Sequence, residues 1–117
     1  MSRDFADRFP GATVLGEIEF VGAIVGHAFR YRLLDDGTVF ERPGEFFAEG
    51  GRYSTGHRAI LHGTYAFDRG VVSIDCPDCR HTFLGLGSER IFFRHQGRLL
   101  MANANGEGNV IELIPAS

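Results

Sequence analysis

The residue types that could do chemistry in this chain are concentrated in one short string, Cys76-Pro77-Asp78-Cys79-Arg80-His81. Two thiolates and an imidazole this close together could supply three zinc ligands, Cys76, Cys79 and His81, because Zn²⁺ takes sulfur and imidazole donors. A second Cys-x-x-Cys knuckle is missing, so a fourth ligand would come from His27, His57, His62, His95 or a carboxylate. The other chemistry open to this string is that of a redox dithiol. It requires a thiolate stabilised by the N-terminus of a following helix, and Gly85 and Gly87 argue against a helix there. The expected reading is the plain one, two thiols at the end of a hairpin.

All 12 basic residues are arginine, and lysine is absent. That excludes a Schiff-base enzyme, a P-loop phosphate site and a lysine base. Arg90, Phe92 and Arg94 share one face of a strand, and Ile91, Phe93 and His95 share the other. Aromatics on both faces predict a strand buried at least partly on both. The arginine face is expected to point outward, as solvated cations covering an aromatic. Turned inward, Arg90 and Arg94 would be placed to bind a carboxylate or phosphate headgroup. Arg30 and Arg32, flanking Tyr31, pose the same choice.

No nucleophile motif stands up. Ser54, Ser73 and Ser88 all lack the Gly-x-Ser-x-Gly setting of a nucleophile elbow. Gly85-Leu86-Gly87-Ser88-Glu89-Arg90 begins like a dinucleotide fingerprint but has arginine at the third glycine position. His57 and His62, five apart, fall on opposite faces of an uninterrupted strand and make no same-face metal pair. A pair assembled in space from His62 and His81 stays open. No catalytic residue is assigned, and an enzyme is not the expected class.

At 117 residues the chain has room for a single domain, residues 1–117. Hydrophobic residues at 44% and charged residues at 23% are ordinary for a globule and exclude a disordered or fibrous chain. A net charge of −3 gives no general attraction to nucleic acid or to an anionic membrane. Residues 1–10 lack the apolar run of a secretory signal. The longest weakly polar stretch, Phe20 to Gly26, falls far short of the roughly 18 residues of a membrane span. A cytoplasmic location is the expectation if Met1 is the native start; a trimmed exported protein would read the same way.

The elements that must position these residues are strands, since the dominant hydrophobic period is two. Phe29, Tyr31 and Leu33 alternate with Arg30 and Arg32 in a half-buried strand over 28–34. Asp35-Asp36-Gly37 then predicts a tight hairpin, with Thr38 to Phe40 returning as its partner. A second hairpin runs from Ala59 to Phe67, turns at Asp68-Arg69-Gly70 and returns through Val71 to Cys76. A third joins Ile91–Phe93 to Leu99–Met101 across Gln96-Gly97. After the Asn103–Asn109 turn, Val110 to Ile114 closes the chain. Thr13 to Phe20 reads as a further strand, and a short helix is expected near Ser2 to Phe9, with Ser2 as N-cap. Residues 43–51 read as a loop carrying at most a turn of helix, with Phe46 and Phe47 as a contact surface, a lid or a folded-back pair.

Seven to nine short strands predict a mainly β fold, either a sandwich or a small antiparallel up-and-down barrel, and the tight sequential turns favour the barrel. The segments Phe29-x-Tyr31-x-Leu33…Asp36-Gly37-Thr38-Val39 and Gly63-Thr64-Tyr65-x-Phe67-Asp68-x-Gly70-x-Val72-x-Ile74 resemble the small bacterial lipocalin-like domains. Arg90-x-Phe92…Gly97-x-Leu99-x-Met101 and Ile111-Glu112-Leu113 fit the same layout, so the resemblance covers roughly residues 27–114. It implies an up-and-down barrel holding an apolar ligand, and no catalysis. The expected function is therefore binding of a small hydrophobic or amphipathic molecule. The expected ligand residues are Phe29, Tyr31, Leu33, Tyr65, Phe67, Arg90 and Arg94, with Val72 and Ile74 in core or pocket. The alternatives are a zinc or redox module at Cys76, Cys79 and His81, and a homodimeric interaction module using open sheet edges.

Overall fold

A computed structural model describes residues 3–25, 28–34, 41–45, 49–55, 61–75, 89–105 and 110–115. The described elements are a helix α1 (Arg3–Arg8), a short strand β1 (Thr13–Val14), a helix α2 (Glu17–Ile24) and eight further strands. Those strands are β2 (Ala28–Leu33), β3 (Glu41–Glu45), β4 (Arg52–Thr55), β5 (Leu61–Asp68), β6 (Val71–Asp75), β7 (Glu89–His95), β8 (Arg98–Asn103) and β9 (Ile111–Pro115). A single 3₁₀ turn, Glu49–Gly51, precedes β4. The mainly β fold read from the sequence is the fold observed.

Every strand pairs antiparallel with its neighbours, in the order β3-β2-β9-β8-β7-β6-β5-β4. Most of this is a meander, each strand beside the next in sequence. The decisive pairing is β2 with β9, the first and last strands of the meander, over Phe29↔Pro115 to Leu33↔Ile111. A simple meander would leave those two as its edges; here they are neighbours inside the sheet. Its edges are β3 and β4 instead, which lie in contact. Among the described residues no ladder crosses from one to the other. The up-and-down arrangement expected from the sequence is thus present, as a sheet with β3 and β4 at its edges and no ladder between them among the described residues.

The period-two pattern sorts side chains onto two faces. The concave face carries Phe29, Tyr31, Val72, Ile74, Phe92, Met101, Ile111 and Leu113, all buried, with Tyr65, Phe67 and Leu99 packed against them. On the outer face Ile91, Phe93, Leu100 and Ala102 form a second buried cluster. That cluster is covered by the N-terminal segment through Phe9, Ala12 and Val14. The Phe9 ring lies 4.8 Å from that of Phe93, and His95 Nε2 donates to the Pro10 carbonyl at 3.1 Å. β1 joins β7 at Phe93 and Arg94, continuing the sheet where β6 has ended at Ile91. Strand β7 is therefore buried on both faces, as its aromatics predict.

Two elements differ from the sequence expectation. Residues Thr13 to Phe20 are not one strand: only Thr13 and Val14 pair, and the chain turns at Gly16 into α2. The Gly16 N–H donates to Glu19 Oε2 at 3.2 Å, so the acid three positions on closes the first turn. Glu17 and Glu19 also place negative charge at the positive end of the helix dipole. Phe20 and Ile24, one turn apart, are fully buried in the concave core. That burial outweighs the weak helix propensity of Ile18, Val21 and Gly22.

The partner of β2 is the second difference. It lies at Glu41–Glu45, where a loop was expected, with Arg30 opposite Pro43. Proline brings no N–H and is tolerated because β3 is an edge strand. The expected hairpin at Asp35–Gly37 and its return through Phe40 lie outside the described residues, as do Phe46 and Phe47.

Candidate functional site

The two type I′-like turns, Arg69-Gly70 and Gln96-Gly97, lie at the same end of the sheet as α2. Their backbones take φ of 52° and 83°, and of 53° and 77°. α2 crosses this end with its buried side inward. The Phe20 ring sits 4.9 Å from Phe92, 5.2 Å from Phe67 and 5.5 Å from Tyr65, edge-on or tilted to each. Burial pushes the Tyr65 hydroxyl pKa up. Among the described residues a cleft lies beside each end of the helix.

The cleft at the C-terminal side of α2 measures about 490 Å³. Its apolar wall is Ala23 of α2, Phe29 of β2, Leu99 of β8, and Leu113 and Pro115 of β9. Register explains the convergence: Leu99 stands opposite Leu113, Phe29 opposite Pro115, and Arg94 opposite Leu99. Arg94 therefore reaches the cleft from the same strand face as Phe92, with its side chain exposed at the mouth. Arg98 and Glu112 stand at the rim.

Those two rim charges are engaged with each other. Arg98 Nε and Nη2 donate to the two carboxylate oxygens of Glu112 at 2.9 and 2.8 Å, a bidentate pair. Arg32 Nη1 approaches the same carboxylate at 3.7 Å. The Arg98 hydrogen bonds hold the Glu112 carboxyl below its ordinary range, against the opposing effect of burial. The second cleft, about 480 Å³ at the N-terminal side of α2, is lined by Leu15, Gly16, Glu17 and the Phe67–Gly70 turn among others.

Of the residues named from sequence, Phe29 and Arg94 meet in the first cleft and Phe67 borders the second. Tyr31 is buried in the concave core, and Tyr65 packs against it. The arginine face of β7 points inward, contrary to the outward expectation. Arg90 is 3% exposed beside Phe92, and its Nη1 donates to the Glu89 carbonyl at 3.3 Å. The reason is the curl of the sheet: the outer face of β7 is already taken by Ile91 and Phe93 under the N-terminal segment. The side chain of Leu33, and Cys76, Cys79 and His81 altogether, lie outside the described residues. Among the described residues no group of three histidine, cysteine or acidic side chains could hold a metal ion. No described helix is long and apolar enough to cross a membrane.

Ala23, Leu99, Leu113 and the Arg98–Glu112 pair belong to the cleft but were not picked out in the sequence. Leu99 and Leu113 carry the ordinary strand alternation, which marks a face without marking a cleft. Ala23 depends on α2, and the ion pair depends on a register between strands fourteen residues apart. Compared with protein-family models, with curated proteins and with solved structures, the chain matches none.

Proposed function

We propose that this protein is a lipocalin-like binding module without catalytic activity, holding a small hydrophobic or amphipathic molecule. The observation that supports it best is the cleft beneath α2, whose wall of Phe29, Leu99 and Leu113 belongs to the concave face. Its volume of about 490 Å³ falls inside the roughly 300–1,000 Å³ range of small-molecule sites. Its lining joins the apolar side chains of Ala23, Phe29, Leu99 and Leu113 to three charged ones, Arg94, Arg98 and Glu112. The rest of the concave face is filled by protein side chains, Phe20 and Ile24 above all, as in other small barrels. The ligand is therefore a modest one held at the end of the sheet.

Native mass spectrometry tests this reading. The protein, as purified or after incubation with a panel of medium-chain alcohols and acids, is expected to carry one small-molecule adduct per chain, released on denaturation. A spectrum showing only the bare chain across that panel contradicts it.

A further inference from the structure

We infer that the outward face of α2 is a self-association surface, on which a second copy of this chain docks with its own α2 antiparallel across a two-fold axis. The inference does not depend on ligand binding and concerns the side of α2 turned away from the core.

After its first turn α2 carries no polar side chain, reading Phe20-Val21-Gly22-Ala23-Ile24-Val25 through its C-cap. Phe20 and Ile24 fill the core, but Ile18 and Val21 are 89% and 46% exposed. Ile18, Val21, Gly22 and Val25 follow the i, i+3, i+4, i+7 spacing of one helical stripe. The helix thus has a second apolar stripe facing away from the first, and a helix apolar on all sides is one that is covered.

The stripe is self-complementary. A two-fold axis between Val21 and Gly22 sets Ile18 against the partner's Val25 and Val21 over the partner's Gly22. Gly22 is exposed and has open space where a Cβ would be, so the two backbones can approach closely there. An isologous interface requires this kind of match, since each contact occurs twice.

Charge selects the antiparallel order. Glu17 and Glu19 stand exposed at the N-terminal end of α2, where Asp68 and Arg69 offset each other at 4.0 Å. At the C-terminal end Arg98 and Glu112 are engaged with each other, and the exposed Arg94 supplies the net positive charge. Antiparallel pairing brings each acidic end toward the partner's Arg94, whereas parallel pairing would set acid against acid. The eight residues of α2 span only about 12 Å, so the interface lies below roughly 1,200 Å². The dissociation constant is then on the order of 100 µM, and the chain is monomeric at the low micromolar concentrations of an unfolding experiment.

Sedimentation equilibrium from about 10 µM to about 1 mM, spanning that constant, tests this. The parent should pass from monomer to dimer. Ile18→Ser should weaken association by roughly tenfold or more, because apolar contact is lost on both copies. Gly22→Gln should abolish it while melting at or above the parent, since glutamine favours helix and its Cβ meets no atom of its own chain. Glu17→Arg and Arg94→Glu should each weaken it roughly fivefold, and the double variant should recover most of that loss. A parent that stays monomeric at the highest concentration overturns the proposal. A dimer that survives both Ile18→Ser and Gly22→Gln overturns it too, and assigns association to another surface such as the edge strands β3 and β4. A double variant no tighter than the single ones overturns the antiparallel order.

Discussion

Glu112 is held by Arg98 on both carboxylate oxygens and faces Arg32 as well. Its folded pKa lies below the ordinary 4.5, so the ionised form favours the fold. The contribution is complete above that ordinary value and is lost as pH falls through the folded one. Glu112 is 13% exposed but Arg98 is 43% exposed, so solvent screening limits the pair to about 1 kcal/mol. Glu112→Gln should therefore lower stability by about that amount at neutral pH, and the gap from the parent should close as pH falls through the lowered folded pKa. Urea melts across pH check it, and a gap independent of pH contradicts the assignment. The two positive-φ turns permit a sharper comparison. Gly97 has open space where a Cβ would be, whereas a Cβ at Gly70 would lie 2.7 Å from Val14 Cγ1. Gly97→Ala should cost about 1–2 kcal/mol from left-handed strain alone. Gly70→Ala should cost about 1 kcal/mol more from overpacking against Val14, and calorimetric melting should rank them so. Equal losses would mean that β1 does not seat against this turn. Both turns were legible in sequence, because glycine closing a short gap between alternating runs has few other uses. The contact with Val14 was not, since it depends on a segment more than fifty residues away.

At the scale of elements, α2 decides the shape of the candidate site and was the least legible part of the chain. Ile18, Val21 and Ile24 are β-branched, and Gly22 interrupts them, so local preference alone reads as strand. What makes the helix is tertiary: Phe20 and Ile24 reach the concave core only if the segment has a 3.6-residue period. Phe20→Ala should therefore cost about 3–5 kcal/mol, as a fully buried aromatic surrounded by three other rings. Ile18, 89% exposed on the opposite side, should change stability by less than about 0.5 kcal/mol when replaced by alanine. Guanidinium unfolding of the two variants checks the pair. Similar losses at both positions would contradict the placement of α2. β3 and β4 were hidden for other reasons. β3 contains Pro43 and Gly44, which read as a loop and are accommodated at a sheet edge. β4, with sequence RYST, is too short to show an alternation. The long strands β5, β7 and β8 were legible because each has enough residues to separate two faces.

In the molecule as a whole, alternation predicted the faces and the sequential hairpins but not which face would be concave. Packing settles that: Phe92 shares the cluster that buries Phe20 and Ile24 of α2, with Arg90 and Arg94 on its strand face, while the N-terminal segment covers Ile91 and Phe93. A cleft arises only once the sheet has curled and α2 has crossed its end, so no run of residues announces it. The account's central claim is that this cleft, at the end of the sheet carrying α2, is where a small amphipathic molecule binds. The most direct test is a titration of ¹⁵N-labelled protein with decanoate followed by two-dimensional amide NMR. The account predicts saturable shifts clustered at Ala23, Phe29, Arg94, Gly97, Leu99 and Leu113, with little change at Val71 to Ser73. Shifts confined to other residues, or none at saturating decanoate, would contradict it.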